Sequence, residues 1–356
     1  MFKQEYQKTF SQVTASRDVY GRVLNMKQKE NRKYGMKTTT KVLLAAVMIC
    51  LLAVTASAAG LGKWFISYFE HSGKQELSQE QQQWVTEQEK FIGQAQTRNG
   101  WTVELCSAIT DGRLGYILLG VTAPEGQDLT QMLEGGGYYG PGNDFLFKSE
   151  NKVLSCSKGF FAGRVGGNWQ EDGDGKNNTL HYVIDFAPEL LAEEEASDLL
   201  KADVTWHIHI ENLVEGDPAE RVLAEGTWDF DFCFPTAAEP MELLAGDMEM
   251  EAPVALPGSG EERHKVTLHS IELRALGVTV SYEVSREIVA EDMQMVYFGK
   301  DDPWMLVMED GEEIPLTWCD TNPVQRTATF SVSAPIVTEY VESLRLGDGT
   351  VISVNP

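Results

Sequence analysis

The sequence predicts a mainly β protein: two β-sandwich domains, preceded by a short helix, one membrane-crossing helix and a short helical arm. Three observations predict it. From Gly100 onward apolar residues recur with period two, in short runs bounded by Gly, Asn and Asp, as half-buried strands require. Upstream stands a single long uncharged segment, residues 42–62. Charge divides at that segment: residues 1–41 carry ten Lys/Arg against three acids, net +7, which leaves −32 for the rest of a −25 chain.

The basic arm, 1–41, is expected to be helical. Phe2, Tyr6, Phe10 and Val13 recur at helical spacing, as do Val19, Tyr20, Val23, Leu24 and Met26, with Ser16 as an N-cap between the two sets. Val19, Tyr20, Val23 and Leu24 form the densest apolar cluster, flanked by Arg17 and Arg22. They are the candidate partner-binding surface of the arm. The competing use of such amphipathic, basic helices is to rest on anionic membrane lipid.

The segment 42–62 is read as the transmembrane helix. Its 21 residues would reach roughly 31 Å as a helix, about the thickness of a hydrocarbon core. Six basic residues between Lys27 and Lys41 hold the N-terminus in the cytoplasm and place everything beyond the segment outside. A cleavable signal would explain the Val42–Val54 core and the Ala56-Ser57-Ala58 run, but its basic region would be far too long. The expected location is therefore the cell membrane, single-pass. Trp64, Phe65, Tyr68 and Phe69 follow directly and suit an aromatic belt at the interface.

Residues 63–97 are expected to form a juxtamembrane helix, opened by the capping box Ser78-x-x-Gln81. Leu77, Trp84, Val85, Phe91 and Ile92 would be its apolar stripe. The first sandwich is assigned to 98–235. "WTVELCSA" alternates, and "LGYILLGVTAP" is apolar nearly throughout, as a central strand buried on both faces would be. Further strands are expected near 144–149, 152–157, 159–165, 180–186, 203–212 and 224–234, with a short helix at 188–200. In "GTWDFDFCF", Trp228, Phe230, Phe232 and Phe234 point inward, and Asp229 and Asp231 outward. Residues 236–262, with three prolines and a run of acids, are the candidate linker. The C-terminal domain, 263–356, shows about eight short strands with regular turn signals and a closing Asp-Gly hairpin, which suggests an immunoglobulin-like sandwich.

Chemistry-bearing motifs are few. His207-Ile-His209 on a strand puts two imidazoles on one face, with Glu211 next along it. Such a pair binds zinc when further ligands converge. With none evident, the row is read as an exposed strand face, and neither a metal nor a cofactor is expected. "EDGDGKNN" imitates a calcium loop in part, but Lys176 stands where an oxygen ligand belongs, so it reads as a turn. Ser149-x-x-Lys152 and Ser155-x-x-Lys158 match a penicillin-binding fragment but lack the accompanying Lys-Thr-Gly, and "LPGSG" at 256–260 is like a sortase signal but is internal and has no membrane tail after it. Catalysis is therefore not expected. Nucleic acid is excluded as a partner by the acidity of the region beyond the segment. Cys106, Cys156, Cys233 and Cys319, an even number, permit disulfides in three connectivities, but their wide spacing shows no framework and favours isolated buried thiols.

The string "LSQEQQQWVTEQEKFIGQAQTRNGWTVELCSAITDGRLGYILLGVTAPEG", preceded by "SRDVYGRVLNMKQK" and the membrane segment, resembles an uncharacterised extracytoplasmic-domain family of Gram-positive Clostridia and Bacilli. Members combine a basic arm, one membrane helix, an "NGWTV" strand pair and often a C-terminal immunoglobulin-like domain. Some are treated as membrane-bound anti-sigma factors. The resemblance thus implies a sigma factor as partner of the arm, though the arm has no His or Cys for a zinc-type anti-sigma motif. The other function that fits is a surface binding or scaffolding module, with an unknown ligand.

Overall fold

The computed structural model describes residues 62–129, 152–156, 162–171, 178–188, 200–215, 221–256, 260–285, 295–296, 298, 302–322 and 326–354. The arm, with Val19, Tyr20, Val23 and Leu24, and the apolar segment up to Leu61 lie outside them. So do the strand expected at 144–149, the Asp172–Asp174 turn and the helix expected before Leu200. Among the described residues no helix is long and apolar enough to cross a membrane.

Two helices open the described chain: α1, Gly62–Gly73, and α2, Gln79–Gln88. The capping box forms as predicted, Gln81 N–H donating to Ser78 Oγ (3.2 Å) and Ser78 N–H to Gln81 Oε1 (2.8 Å). The single helix expected over 63–97 does not form. Lys74 takes a left-handed conformation (φ 55°) after α1, and Glu89 leaves α2 with extended angles. Lys90–Arg98 is strand β1. Phe91 and Ile92 therefore belong to a strand rather than a helical stripe, with a bulge at Gly93 (φ 64°) resetting the register against β2.

The first half continues with β2 (Trp101–Thr110), β3 (Gly115–Thr122), β4 (Lys152–Cys156), β5 (Ala162–Glu171), β6 (Thr179–Pro188), β7 (Trp206–Glu215) and β8 (Arg221–Phe232). They make two antiparallel sheets, β1-β2-β3-β6-β5 and β4-β7-β8. One apolar core lies between the sheets: Trp101, Val103, Leu105, Ile117 and Tyr182 meet Trp206, Ile208, Trp228 and Phe230. The "GTWDFDFCF" alternation points as expected, with Trp228, Phe230, Phe232 and Phe234 buried.

The continuous apolar run of β3 has a simple cause. Ile117, Leu119 and Val121 face that core, whereas Tyr116 and Leu118 face α1 and α2 on the other side of the sheet. Trp64, Phe65, Tyr68 and Phe69 are buried there and do not form an exposed belt. Phe69 meets Tyr116 edge-on at 5.1 Å, and Trp64 stacks on His181 at 4.0 Å. Aromatics on one face of a helix serve equally well to cover a sheet, and here the sheet takes them.

The second half contains β9 (Met241–Leu256), β10 (Gly260–Arg274), β11 (Gly277–Val284), β12 (Met295–Val296), β13 (Met305–Met308), β14 (Glu313–Pro315), β15 (Thr317–Asn322), β16 (Thr327–Ser331), β17 (Val341–Arg345) and β18 (Val351–Ser353). The sheets are β12-β9-β10-β11-β16-β15 and β14-β13-β17-β18, and they share a second core. The expected linker, 236–262, is a correction: most of it is the 16-residue strand β9, paired along β10. Leu243, Ala252 and Val254 are buried, and Met248 and Met250 pack against the core, while Glu249 and Glu251 face water. The acids that suggested a linker are the solvent face of a strand. Among the described glycines of this half, Gly277 marks the tightest approach: a Cβ there would lie 1.9 Å from the Phe330 carbonyl oxygen.

The halves are joined by polar contacts as well as packing. Asp111, 5% exposed, accepts N–H bonds from Arg113 (2.9 Å) and Leu114 (2.8 Å) on Oδ1, and from Leu276 of the second half (3.1 Å) on Oδ2. Arg274 donates to the Asp111 carbonyl at 2.9 Å, and Arg113 reaches Thr327 and Thr329 at 3.1 and 3.4 Å. Leu276 and Ala334 complete the α1–α2 cluster. All described residues fall within one compact unit running from Ser57 to Pro356.

Candidate functional site

The outward face of the three-stranded sheet carries the candidate site. Period-two geometry sends Ile208 and Ile210 into the core, so His207 and His209 point away from it. The same alternation on β8 sends Asp229 and Asp231 outward. The register places His207 opposite Asp231 and His209 opposite Asp229. A bulge fixes that register: Asn212 (φ 56°) accepts the Gly226 N–H at 3.0 Å through its side chain, and pairing resumes shifted beyond it.

His207 Nδ1 lies 2.8 Å from Asp231 Oδ1, and His209 Nδ1 lies 2.6 Å from Asp229 Oδ1. The remaining ring nitrogen of His207, Nε2, faces Asp229 Oδ1 at 3.5 Å. One ligand atom each from His207, His209 and Asp229 lies within 4.8 Å of the others. Glu211, the third residue of the expected row, stands opposite Thr227 and takes no part in this cluster. Asp229 and Asp231 are the residues that strand-by-strand reading left out. Their signal was present as the outward half of "WDFDF", but alternation gives a side chain's face and not its cross-strand partner. Cys233 is a free, half-buried thiol with Sγ 3.8 Å from Thr205 Oγ1.

The backbone beneath the site is held from the side by β1. Gln94 Nε2 donates to the Asp231 carbonyl at 2.7 Å and Gln96 Nε2 to the Asp229 carbonyl. Trp228 Nε1 donates to the Gln96 carbonyl at 3.0 Å, and Asn99 Nδ2 to that of Glu225 at 2.8 Å. Lys90 Nζ reaches the Cys233 carbonyl at 2.9 Å.

Two other polar places compare poorly with it. A cleft of about 370 Å³ beside α2 is lined by Glu80, Glu87, Glu239 and Glu339 around Arg274. Nearer α1 and α2, Glu89 accepts the Ser107 hydroxyl at 2.7 Å, and burial raises its carboxyl above the usual range. Burial also raises the Glu104 carboxyl and pushes the buried Cys106 thiol well up, which makes that thiol inert. A raised carboxyl contributes stability below its unfolded value, and that contribution is lost as pH rises through the folded one. Glu104→Gln should therefore stabilise the protein at neutral pH. The gain in melting temperature should shrink toward zero as the pH is lowered to about 4, and a pH-independent gain would refute the assignment.

No protein-family model and no curated protein matches the chain. Among solved structures it is similar to the crystal structure of the conserved domain protein from Bacillus anthracis, with 15% identity and a TM-score of 0.40 over 72% of this chain and 76% of that one. The site on β7 and β8 is therefore read from its own geometry.

Proposed function

We propose that this chain is a membrane-anchored extracytoplasmic regulator of the anti-sigma type. Residues 42–62 cross the cell membrane, with Gly62 already the first residue of α1. The arm 1–41 holds a sigma factor in the cytoplasm through Val19, Tyr20, Val23 and Leu24. The β halves stand outside as two sandwiches of immunoglobulin-like kind. The observation that carries this reading is the +7/−32 division of charge across one 21-residue uncharged segment.

A protein partner needs buried apolar anchors, and truncating a central one typically costs ~2 kcal/mol or more. A lipid surface instead depends on Lys and Arg, at roughly 1 kcal/mol each near anionic headgroups. The two are separated by Val23→Asp with Leu24→Asp against Lys27→Gln with Lys29→Gln, read by a reporter for the neighbouring sigma factor. The apolar pair should release the sigma factor and raise transcription severalfold, while the charge pair should leave it near its starting level. If neither pair changes transcription while the protein is made and inserted, the regulator reading fails. The second reading, a surface binding module, would then hold; the outward His/Asp row supports it.

A further inference from the structure

We infer that His207, His209 and Asp229 form a binding site for a divalent transition-metal ion of the zinc class, with Asp231 orienting His207. The inference is independent of any role of the arm. It rests on the convergence of two strands that supply, from β8, the third ligand the His pair lacked.

The geometry favours a metal over a mere pair of contacts in three ways. First, the donor set is two imidazoles and one carboxylate, which suits Zn²⁺ or Co²⁺ and is too nitrogen-rich for Ca²⁺ or Mg²⁺. Second, ligand atoms around a tetrahedral zinc stand about 3.3 Å apart, given bonds of about 2.0–2.1 Å. His207 Nε2 and Asp229 Oδ1 are already 3.5 Å apart. His209 Nδ1 and Asp229 Oδ1, now hydrogen-bonded at 2.6 Å, part by a fraction of an ångström as the ion displaces the proton between them into solvent. Both side chains are exposed enough, 38% and 46%, to do so without disturbing the core. Third, Asp231 stands at Nδ1 of His207 and leaves Nε2 of the same ring on the Asp229 side, where it can take the ion in the tautomer that keeps its proton on Nδ1. A carboxylate behind a histidine is the usual means of orienting a metal-binding imidazole.

The neighbouring half supplies a built-in comparison. His269 on β10 meets Asp247 at 2.7 Å and Glu283 at 3.8 Å, a similar cross-strand row with one imidazole in place of two. It lacks the second nitrogen donor and should not compete for the ion. With three protein ligands on an open face, a fourth position is left for water or an external group.

The test is titration of the full chain in detergent with Co²⁺ at neutral pH, followed by visible absorption and by displacement with Zn²⁺. Intense tetrahedral Co²⁺ bands that Zn²⁺ bleaches are expected. His209→Ala and Asp229→Ala should each weaken binding by upward of ~100-fold, and Asp231→Asn by about 10-fold, the range for an orienting partner. Glu211→Gln and His269→Ala should leave it unchanged. All these side chains lie on solvent faces, and melting of each variant without metal verifies that it folds. Absence of the bands would overturn the inference. So would bands that survive loss of both His207 and His209, or that depend on His269.

Discussion

Replacing Asp111 with alanine is expected to destabilise the protein by about 3–5 kcal/mol, since three N–H groups lose one buried acceptor together. The substitution leaves the N–H groups of Arg113, Leu114 and Leu276 without their acceptor. Each such orphaned group costs roughly 1–3 kcal/mol where water cannot reach it. Burial raises the Asp111 carboxyl, and the N–H donors and Arg274 partly offset that rise. Asp111→Asn divides the effect. Its amide oxygen keeps the Arg113 and Leu114 bonds, but its NH2 then faces the Leu276 N–H, so of the bonds between the halves only that to Leu276 is lost. Thermal melting should show alanine as the larger loss. Limited proteolysis should show that asparagine selectively exposes the Ala275–Leu276 turn. Equal, small shifts for both would mean that Asp111 does not bind the halves together.

Phe69→Ala is expected to cost a similar amount, about 3–5 kcal/mol, because it empties a fully buried aromatic site. Phe69 is 1% exposed and packs against Tyr68 and Tyr116 under the five-stranded sheet. Amide exchange of α1 should accelerate, since a helix of 12 residues is held by its packing on the sheet, where Phe69 acts together with Trp64, Phe65 and Tyr68. A residue in a lipid belt would behave differently, with melting unchanged and depth in the bilayer altered. A fragment that begins after Gly73 and so lacks α1 should likewise fail to fold cooperatively.

Much of this architecture was legible because its signals are local. The Ser78/Gln81 box, the alternation of β8 and the unbroken apolar run of β3 depend on neighbours a few residues apart. The failures share a different cause. Whether the aromatic face of α1 meets lipid or a sheet is decided by Tyr116 and Leu118, more than 40 residues downstream. In the middle of β9 the core-facing residues are Met248 and Met250, alternating with Asp247, Glu249 and Glu251, a weak apolar pattern that becomes a strand only when β10 pairs with it. The candidate site shows the same limit. Both outward pairs, His207/His209 and Asp229/Asp231, could be seen on their own strands. Their meeting depends on a register set by the Asn212–Gly226 bulge, which neither strand encodes alone.

The side-chain amides along β1 have one further consequence. β8 is the outer strand of its sheet, and such a margin ordinarily invites an incoming chain to add itself and begin a polymer. Here the carbonyls of Asp229, Asp231 and Glu225 are already bonded to Gln96, Gln94 and Asn99. Since those amides come from side chains, they occupy the acceptor row without continuing a ladder. Copies of the protein crowded together thus meet a margin that cannot template growth.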